Sequence, residues 1–310
     1  MVPEPKVIAT KIFSTVPKEL LLGDRDSSFT RDIFHGQRLG SFLEGPSFDR
    51  SGNLLMVDIA HGRIFRLSPK GDWSVVTQYD GFPNGLKVHA DGRLFVTDRR
   101  NGIMVVDPVN GKVETFIGPD RLPGYKGVND LFFANNGDLY FTDQGETGLH
   151  DPTGRVFKFD TSGKLTCLIA NVPSPNGLVM DPKETMLYIA VTRANCVWRM
   201  PIRSDGSIHR VGLFCQLVGG WGPDGMAVDA AGNLVVAHAG GAAVWVWSPS
   251  GLPLYRVVAC DGGLLTTNVA YGGAHGRTLY ITNSLSNNVL TAEMPVAGQP
   301  MFGQMEKTGG

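Results

Sequence analysis

Six residues recur in phase along this chain: Glu44, Asn84, Asn129, Asn176, Asp224 and Asn268. Each opens a short apolar segment, and in five of the six a second one ends on a polar residue fourteen or fifteen residues later. Asn84-Gly85-Leu86 leads to Leu94-Phe95-Val96-Thr97-Asp98, and Asn129-Asp130-Leu131 leads to Leu139-Tyr140-Phe141-Thr142-Asp143. The steps are 40, 45, 47, 48 and 44 residues. All six leading side chains end in oxygen donors, two carboxylates and four amides, with no Cys or His. Such a set suits a hard cation such as Ca²⁺, whereas zinc favours nitrogen and sulfur. Two carboxylates against one divalent ion are locally neutral, and a cation held with open positions can polarise a carbonyl or phosphoryl oxygen and activate water. Asn-Gly and Asp-Gly are also turn signals. Asn129, which is followed by Asp130, and Glu44, which is not a preferred turn residue, keep the phase without that excuse.

A self-similar unit of this period marks a propeller or a solenoid. Each unit reads as four short strands separated by turn residues. In the second, strands over 85–89, 93–98, 103–106 and 113–117 are divided by Asp91-Gly92, Asn101-Gly102 and Asn110-Gly111, pairs that tolerate the positive φ of tight hairpins. The sixth unit lacks a fourth strand, while residues 7–16 form a spare one. An all-β, six-bladed β-propeller with four antiparallel strands per blade satisfies both ends: the N-terminal strand becomes the outer strand of the last blade and closes the ring. The whole chain, 1–310, then reads as a single domain with a Pro/Gly-rich tail over 296–310.

In such a ring the first strand of each blade lines the central channel, so the six leading residues gather at one mouth. The second strand returns to the same mouth and adds Asp58, Asp98, Asp143, His238 and Asn283. His238 can move protons near neutral pH, or can be a hydrogen-bonded structural histidine; the repeated acids can equally fasten turns. Trp221 precedes Gly222-Pro223-Asp224 and can wall the mouth. The polar stretch 17–43 has no pattern of its own and reads as a binding loop or lid.

Composition narrows the classes. Gly makes up 40 of 310 residues, about 13% against a usual ~7%, which fits many tight turns. The net charge of −1 offers no basic face for nucleic acid or an anionic membrane. Cys167, Cys196, Cys215 and Cys260 lack metal-type spacing and read as small buried hydrophobes. With no signal-peptide pattern and no long apolar run, the expectation is a cytoplasmic protein.

The chain resembles the senescence-marker protein/gluconolactonase family from Phe42 to about Asn288. The carrying motifs are Leu43-Glu44-Gly45-Pro46, Gly127-Val128-Asn129-Asp130, Pro175-Asn176-Gly177-Leu178 and Gly222-Pro223-Asp224-Gly225-Met226-Ala227-Val228-Asp229. The resemblance implies a six-bladed propeller with one divalent cation, Ca²⁺ first, with Zn²⁺, Mg²⁺ or Mn²⁺ as alternatives. Its ligands fall on Glu44, Asn176 and Asp224, with Asn129 as fourth ligand or substrate contact. It implies hydrolysis of a lactone, with Asp224 as base or nucleophile and Asp143 or His238 in reserve. Asn84, Asn129, Asn268, Lys126 and Trp221 are the expected substrate contacts. Sugar-lactone members carry an arginine two residues before the blade-three asparagine; here that position is Gly127. The expected partner is a small-molecule lactone, with neither nucleic acid nor membrane, in a monomer or homodimer. A phosphotriesterase-type hydrolase and a non-catalytic binding propeller are the other readings.

Overall fold

The computed structural model describes residues 4–23 and 25–305. It is a ring of six blades, each with four antiparallel strands; the first five repeats each supply all four, and the sixth supplies three. The innermost strands are Leu43–Phe48, Pro83–Val88, Val128–Phe133, Pro175–Met180, Gly222–Val228 and Thr266–Gly272. Inner and middle strands are buried throughout most blades and the outermost strands half-exposed. Aliphatic and aromatic side chains of neighbouring blades fill the space between sheets, for example Leu178, Ile189 and Val197 of blade four against Met226 and Val236 of blade five.

In every blade the register between first and second strands slips at the leading residue: between Glu44 and Ser47, Pro83 and Leu86, Val128 and Leu131, Pro175 and Leu178, Pro223 and Met226, and Thr266 and Asn268. A bulge re-aims the side chain it carries. Threonines on the second strands repair the broken ladder. Thr97 Oγ1 accepts from Gly85 N (2.8 Å) and Thr142 Oγ1 from Asp130 N (3.1 Å). The same hydroxyls donate to the next blade, Thr97 to the carbonyl of Asn129 and Thr142 to that of Asn176 (2.9 Å).

The glycines behind the leading residues serve this crowding rather than a hairpin turn. A Cβ on Gly45 (φ 58°) would lie 2.6 Å from Asn84 O, and one on Gly177 would lie 2.4 Å from Asp224 O. The first strands approach too closely for side chains there.

The N-terminal segment differs from the single strand expected over 7–16. It breaks at Thr10 into two strands. Lys6–Ala9 adds in parallel to the outside of blade five, and Lys11–Thr15 pairs antiparallel with Asn288–Glu293 of blade six. Thr10 Oγ1 donates to Val258 O and accepts from Cys260 N (both 2.9 Å), pinning the break.

Two further expectations are corrected. The stretch 17–43 is not patternless, because it contains a helix, Ser28–Ile33, capped by Ser27 Oγ accepting from Thr30 N (3.1 Å). Of the cysteines only Cys196 and Cys215 are buried; Cys167 and Cys260 are exposed.

The tail crosses the far mouth of the channel. Gln299 binds the carbonyls of Val228 and Met180, and Phe302 packs on His89 and Phe133. Residues 306–310 of the expected tail lie outside the described residues. Among the described residues no helix is long and apolar enough to cross a membrane.

Removing residues 1–16 strips edge strands from two adjacent blades. The melting temperature is expected to fall by about 5 °C or more, since ~1 kcal/mol is worth ~2–4 °C in domains of 150–250 residues. An unchanged melt refutes a role for this segment in holding the ring closed.

Candidate metal centre and active site

The bulges deliver the leading side chains to the open mouth, at the floor of a cavity of about 590 Å³, within the ~300–1,000 Å³ of small-molecule sites. Glu44, Asn84, Asn129, Asn176 and Asp224 all line it. Asn268 does not. It is buried and donates Nδ2 to Glu44 Oε2 at 2.8 Å, so it holds Glu44 rather than substrate. Glu44 Oε2 also accepts from Gly45 N at 2.6 Å.

A third carboxylate joins them. Asp130 is buried, with Oδ1 2.8 Å from Leu131 N and 3.8 Å from Lys87 Nζ. Its Oδ1 lies 2.4 Å from where a Cβ on Gly85 would stand. Three carboxylates and one ammonium leave two negative charges in a water-poor floor.

The carboxyls respond accordingly. Burial raises Glu44 to about 7, aided by repulsion from Asp130 and opposed by the Asn268 and Gly45 hydrogen bonds. Burial raises Asp224 well above the carboxylate range, aided by Glu44 and Asp130; the Asn176 amide and Arg193 pull the other way. Asp130 is also raised by burial, with Lys87 opposing. Without a counter-cation this floor resists ionisation.

The donor set fits such a cation. Among the described residues no three His, Cys, Asp or Glu side chains form a metal cluster, so any site here depends on amide oxygens. Asn129 supplies the clearest one. Its Nδ2 donates to Gln144 Oε1 at 2.6 Å, and Gln144 Nε2 donates to Ser174 Oγ at 2.9 Å. That chain fixes the amide and leaves Asn129 Oδ1 buried without a hydrogen-bond partner. A buried, unpartnered oxygen beside Glu44, Asn176 and Asp224 is a place for a hard cation.

Other expected residues fall elsewhere. Asp143 is fully buried and taken up by Gly127 N (2.8 Å), Lys126 N (3.1 Å) and Arg155 Nε (2.9 Å). His238 is buried, with Nε2 2.9 Å from Gly219 O and Nδ1 accepting from Trp245 Nε1 (3.3 Å); burial lowers its pKa. Neither side chain lines the cavity. Lys126 Nζ sits 4.0 Å from Asp151, also off the lining. Trp221 does wall the mouth and is 52% exposed. Asp58 and Asp98 fasten loops, through Arg63 and Phe42 N and through Arg100 N and Asn101 N respectively.

Arg99 and Arg193 line the cavity without having been anticipated. Gln144 opens the long loop 144–154, which the sequence offers as shaping the pocket and which lines it from Gln144 to His150. The arginines each follow a second strand, Arg99 directly after Asp98 and Arg193 two residues after Val191, where sequence offered no reason to prefer them.

The family model for the SMP-30/gluconolactonase/LRE-like region matches residues 42–284. The chain belongs to this family. It is 30% identical over 288 residues to a gluconolactonase of Zymomonas mobilis, covering 82% of this chain and 79% of that one. It is 29% identical over 266 residues to lactonase drp35 of Staphylococcus epidermidis, covering 80% of each. Among solved structures, the family propeller is shared with regucalcin of Agrobacterium tumefaciens, described as a calcium-binding protein (TM-score 0.76, 21% identity, 96% of this chain and 98% of that one). It is also shared with a gluconolactonase of Xanthomonas campestris (TM-score 0.72, 24% identity, 94% and 98%).

Two predictions follow from the floor. Below about pH 4.5 Glu44 is protonated in folded and unfolded chains alike. Between 4.5 and about 7 the unfolded chain ionises first, so the metal-free fold loses stability, on the order of 3 kcal/mol by pH 7.5. The melting temperature of chelated protein is expected to fall from pH 5 to 7.5, and millimolar Ca²⁺ to restore it at pH 7.5; a flat profile contradicts the crowding of carboxylates. Gly225→Ala places a Cβ 2.0 Å from Asn268 Cγ. It is expected to destabilise by ~1–3 kcal/mol and to weaken Ca²⁺ binding by displacing the partner of Glu44, measured by melting and calorimetric titration.

Proposed function

We propose that this chain is a divalent-cation-dependent lactonase. The single observation that carries the proposal is the fixed, unpartnered Asn129 Oδ1 beside Glu44 and Asp224 on the cavity floor, in a chain whose relatives are named lactonase and gluconolactonase. Glu44, Asn129, Asn176 and Asp224 hold the cation, and Ca²⁺ is the first choice for an all-oxygen set; the regucalcin neighbour's description points the same way. Bound there, the ion supplies a Lewis acid for the lactone carbonyl and counters the negative charge that develops on it.

The protein does the remainder. Asp224 lies on the cavity floor and is the base: its carboxylate takes the proton of the attacking water as the water oxygen bonds to the carbonyl carbon. The tetrahedral centre then expels the ring oxygen, and Asp224 returns the proton to that alkoxide, leaving a hydroxy acid. Glu44 is kept in place by Asn268 and Gly45 N, and Asn129 by Gln144, so the floor needs little rearrangement. Asn84 faces the cavity as a substrate contact. Phe29, Phe42 and Ile59 exclude bulk water from one side of the floor.

Asp224→Asn is expected to lower kcat for lactone opening by about 10²–10⁴-fold while the protein stays folded. Turnover within a few-fold of wild type rejects Asp224 as the base.

A further inference from the structure

Two guanidinium groups line the cavity outside the proposed ligand set. Arg99 follows the second strand of blade two, Leu94–Asp98, and lines the cavity. Its Cγ lies 2.8 Å from where a Cβ on Gly127 (φ 127°) would stand. Blade three thus gives up a side chain at this point, and Arg99 fills the space. Tyr125 Oη lies 3.0 Å from the carbonyl of Asp98 and 2.9 Å from that of Arg99, tying down the backbone from which the side chain leaves. The guanidinium pairs with Glu146, whose side chain is 78% exposed and is free to turn to solvent. Arg193 lies on the turn Thr192–Ala194 after the second strand of blade four. It lines the same cavity and is near enough to Asp224 to favour its ionised form. Among the described residues no carboxylate pairs with it.

The charges can be balanced. The floor carries two negative charges, which a divalent ion cancels. Above it Arg99 and Arg193 line the cavity with Glu146 as the one lining carboxylate, while Asp32 acts on Arg99 from off the lining. One side of the cavity is apolar, with Phe29 and Ile33 from the short helix beside Phe42 and Ile59; the other side carries Gln144, Thr147, Ser174 and Thr192. Against the Phe29–Ile33 side a string of hydroxyls finds no partners and loses hydration, whereas ring carbons are received there. A carbon skeleton with one anionic group meets both features, since a guanidinium binds a carboxylate through charge-assisted, often bidentate hydrogen bonds.

We propose that the preferred substrate is an anionic lactone, one whose ring bears a carboxylate, with Arg99 and Arg193 selecting that charge and the Phe29–Ile33 wall receiving the ring carbons. This rests on the lactonase reading. The hydrolysis itself is unaltered: water adds to the ring carbonyl, the ring C–O bond breaks, and the carboxylate that selects the substrate is neither formed nor consumed.

The test compares 5-oxotetrahydrofuran-2-carboxylate with its neutral primary amide, the same ring and nearly the same shape, on the Ca²⁺-loaded protein. Wild type is expected to favour the acid in kcat/KM by about 10- to 100-fold, mainly through KM, and the preference is expected to shrink as salt rises. In R99M/R193M, checked for a wild-type Ca²⁺ stoichiometry, the ratio is expected to fall toward one. Equal turnover of acid and amide by wild type overturns the anion selection and leaves the lactonase reading standing. A double variant that keeps the wild-type ratio overturns the assignment to these arginines. If wild type opens neither ring, the lactonase reading fails, and thermal shift decides the site separately. A rise in melting temperature with glutarate but not glutaramide, lost in the double variant, supports the anion site; equal shifts overturn it.

Discussion

Six strands converging on one narrow axis set the terms for everything else in this molecule. Their backbones come so close that Gly45 and Gly177 cannot carry side chains, and each first strand slips its register where it reaches the mouth. The slip would strand backbone donors in a buried place, a loss of ~1–3 kcal/mol each, so the Thr97 and Thr142 hydroxyls take them up and tie each blade to the next. The same slip turns Glu44, Asn129, Asn176 and Asp224 onto a common floor. Ring closure and site assembly are therefore one structural event.

That event gathers like charges. Glu44, Asp130 and Asp224 are pressed together, with Lys87 near Asp130 and Arg193 near Asp224 as the cationic relief. A fold seldom retains such repulsion without use for it, because the same residues arranged as hydrophobes would be more stable. On the proposed reading the repulsion becomes affinity for a divalent cation, and Asn268 and Gln144 hold Glu44 and Asn129 in place without it. Site and stability are opposed at the floor, and the proposed ion would reconcile them.

Much of this was legible in the sequence because the repeat is strict in phase. Six leading residues at blade spacing point to one mouth and to the number of blades, and the polar residues ending second strands, Asp58, Asp98, Asp143, His238 and Asn283, read at the same mouth. What escaped was whatever depends on where a side chain turns after its strand ends. Asp143 and Asp98 hold the polar position of one blade each, yet Asp143 is spent on Arg155 and Asp98 on loop amides. His238 looks like a proton carrier and is occupied at both ring nitrogens. Asp130 read as the neighbour of a ligand, and only the bulge brings it inward beside Lys87. The helix Ser28–Ile33 is a turn and a half long, too short to leave a periodic pattern. The split of the N-terminal strand at Thr10 follows from contacts with Val258 and Cys260, almost the whole chain away.

The central claim is that the floor is a cation site built from repelling carboxylates. Calorimetric titration of chelated protein with CaCl₂ near pH 6.5, repeated in two buffers of different ionisation enthalpy, tests it most directly. The account predicts one ion per chain and net release of protons on binding, seen as a buffer-dependent heat, since Glu44 and Asp224 must ionise to bind. No saturable binding, or binding of one ion with no proton release, would contradict it.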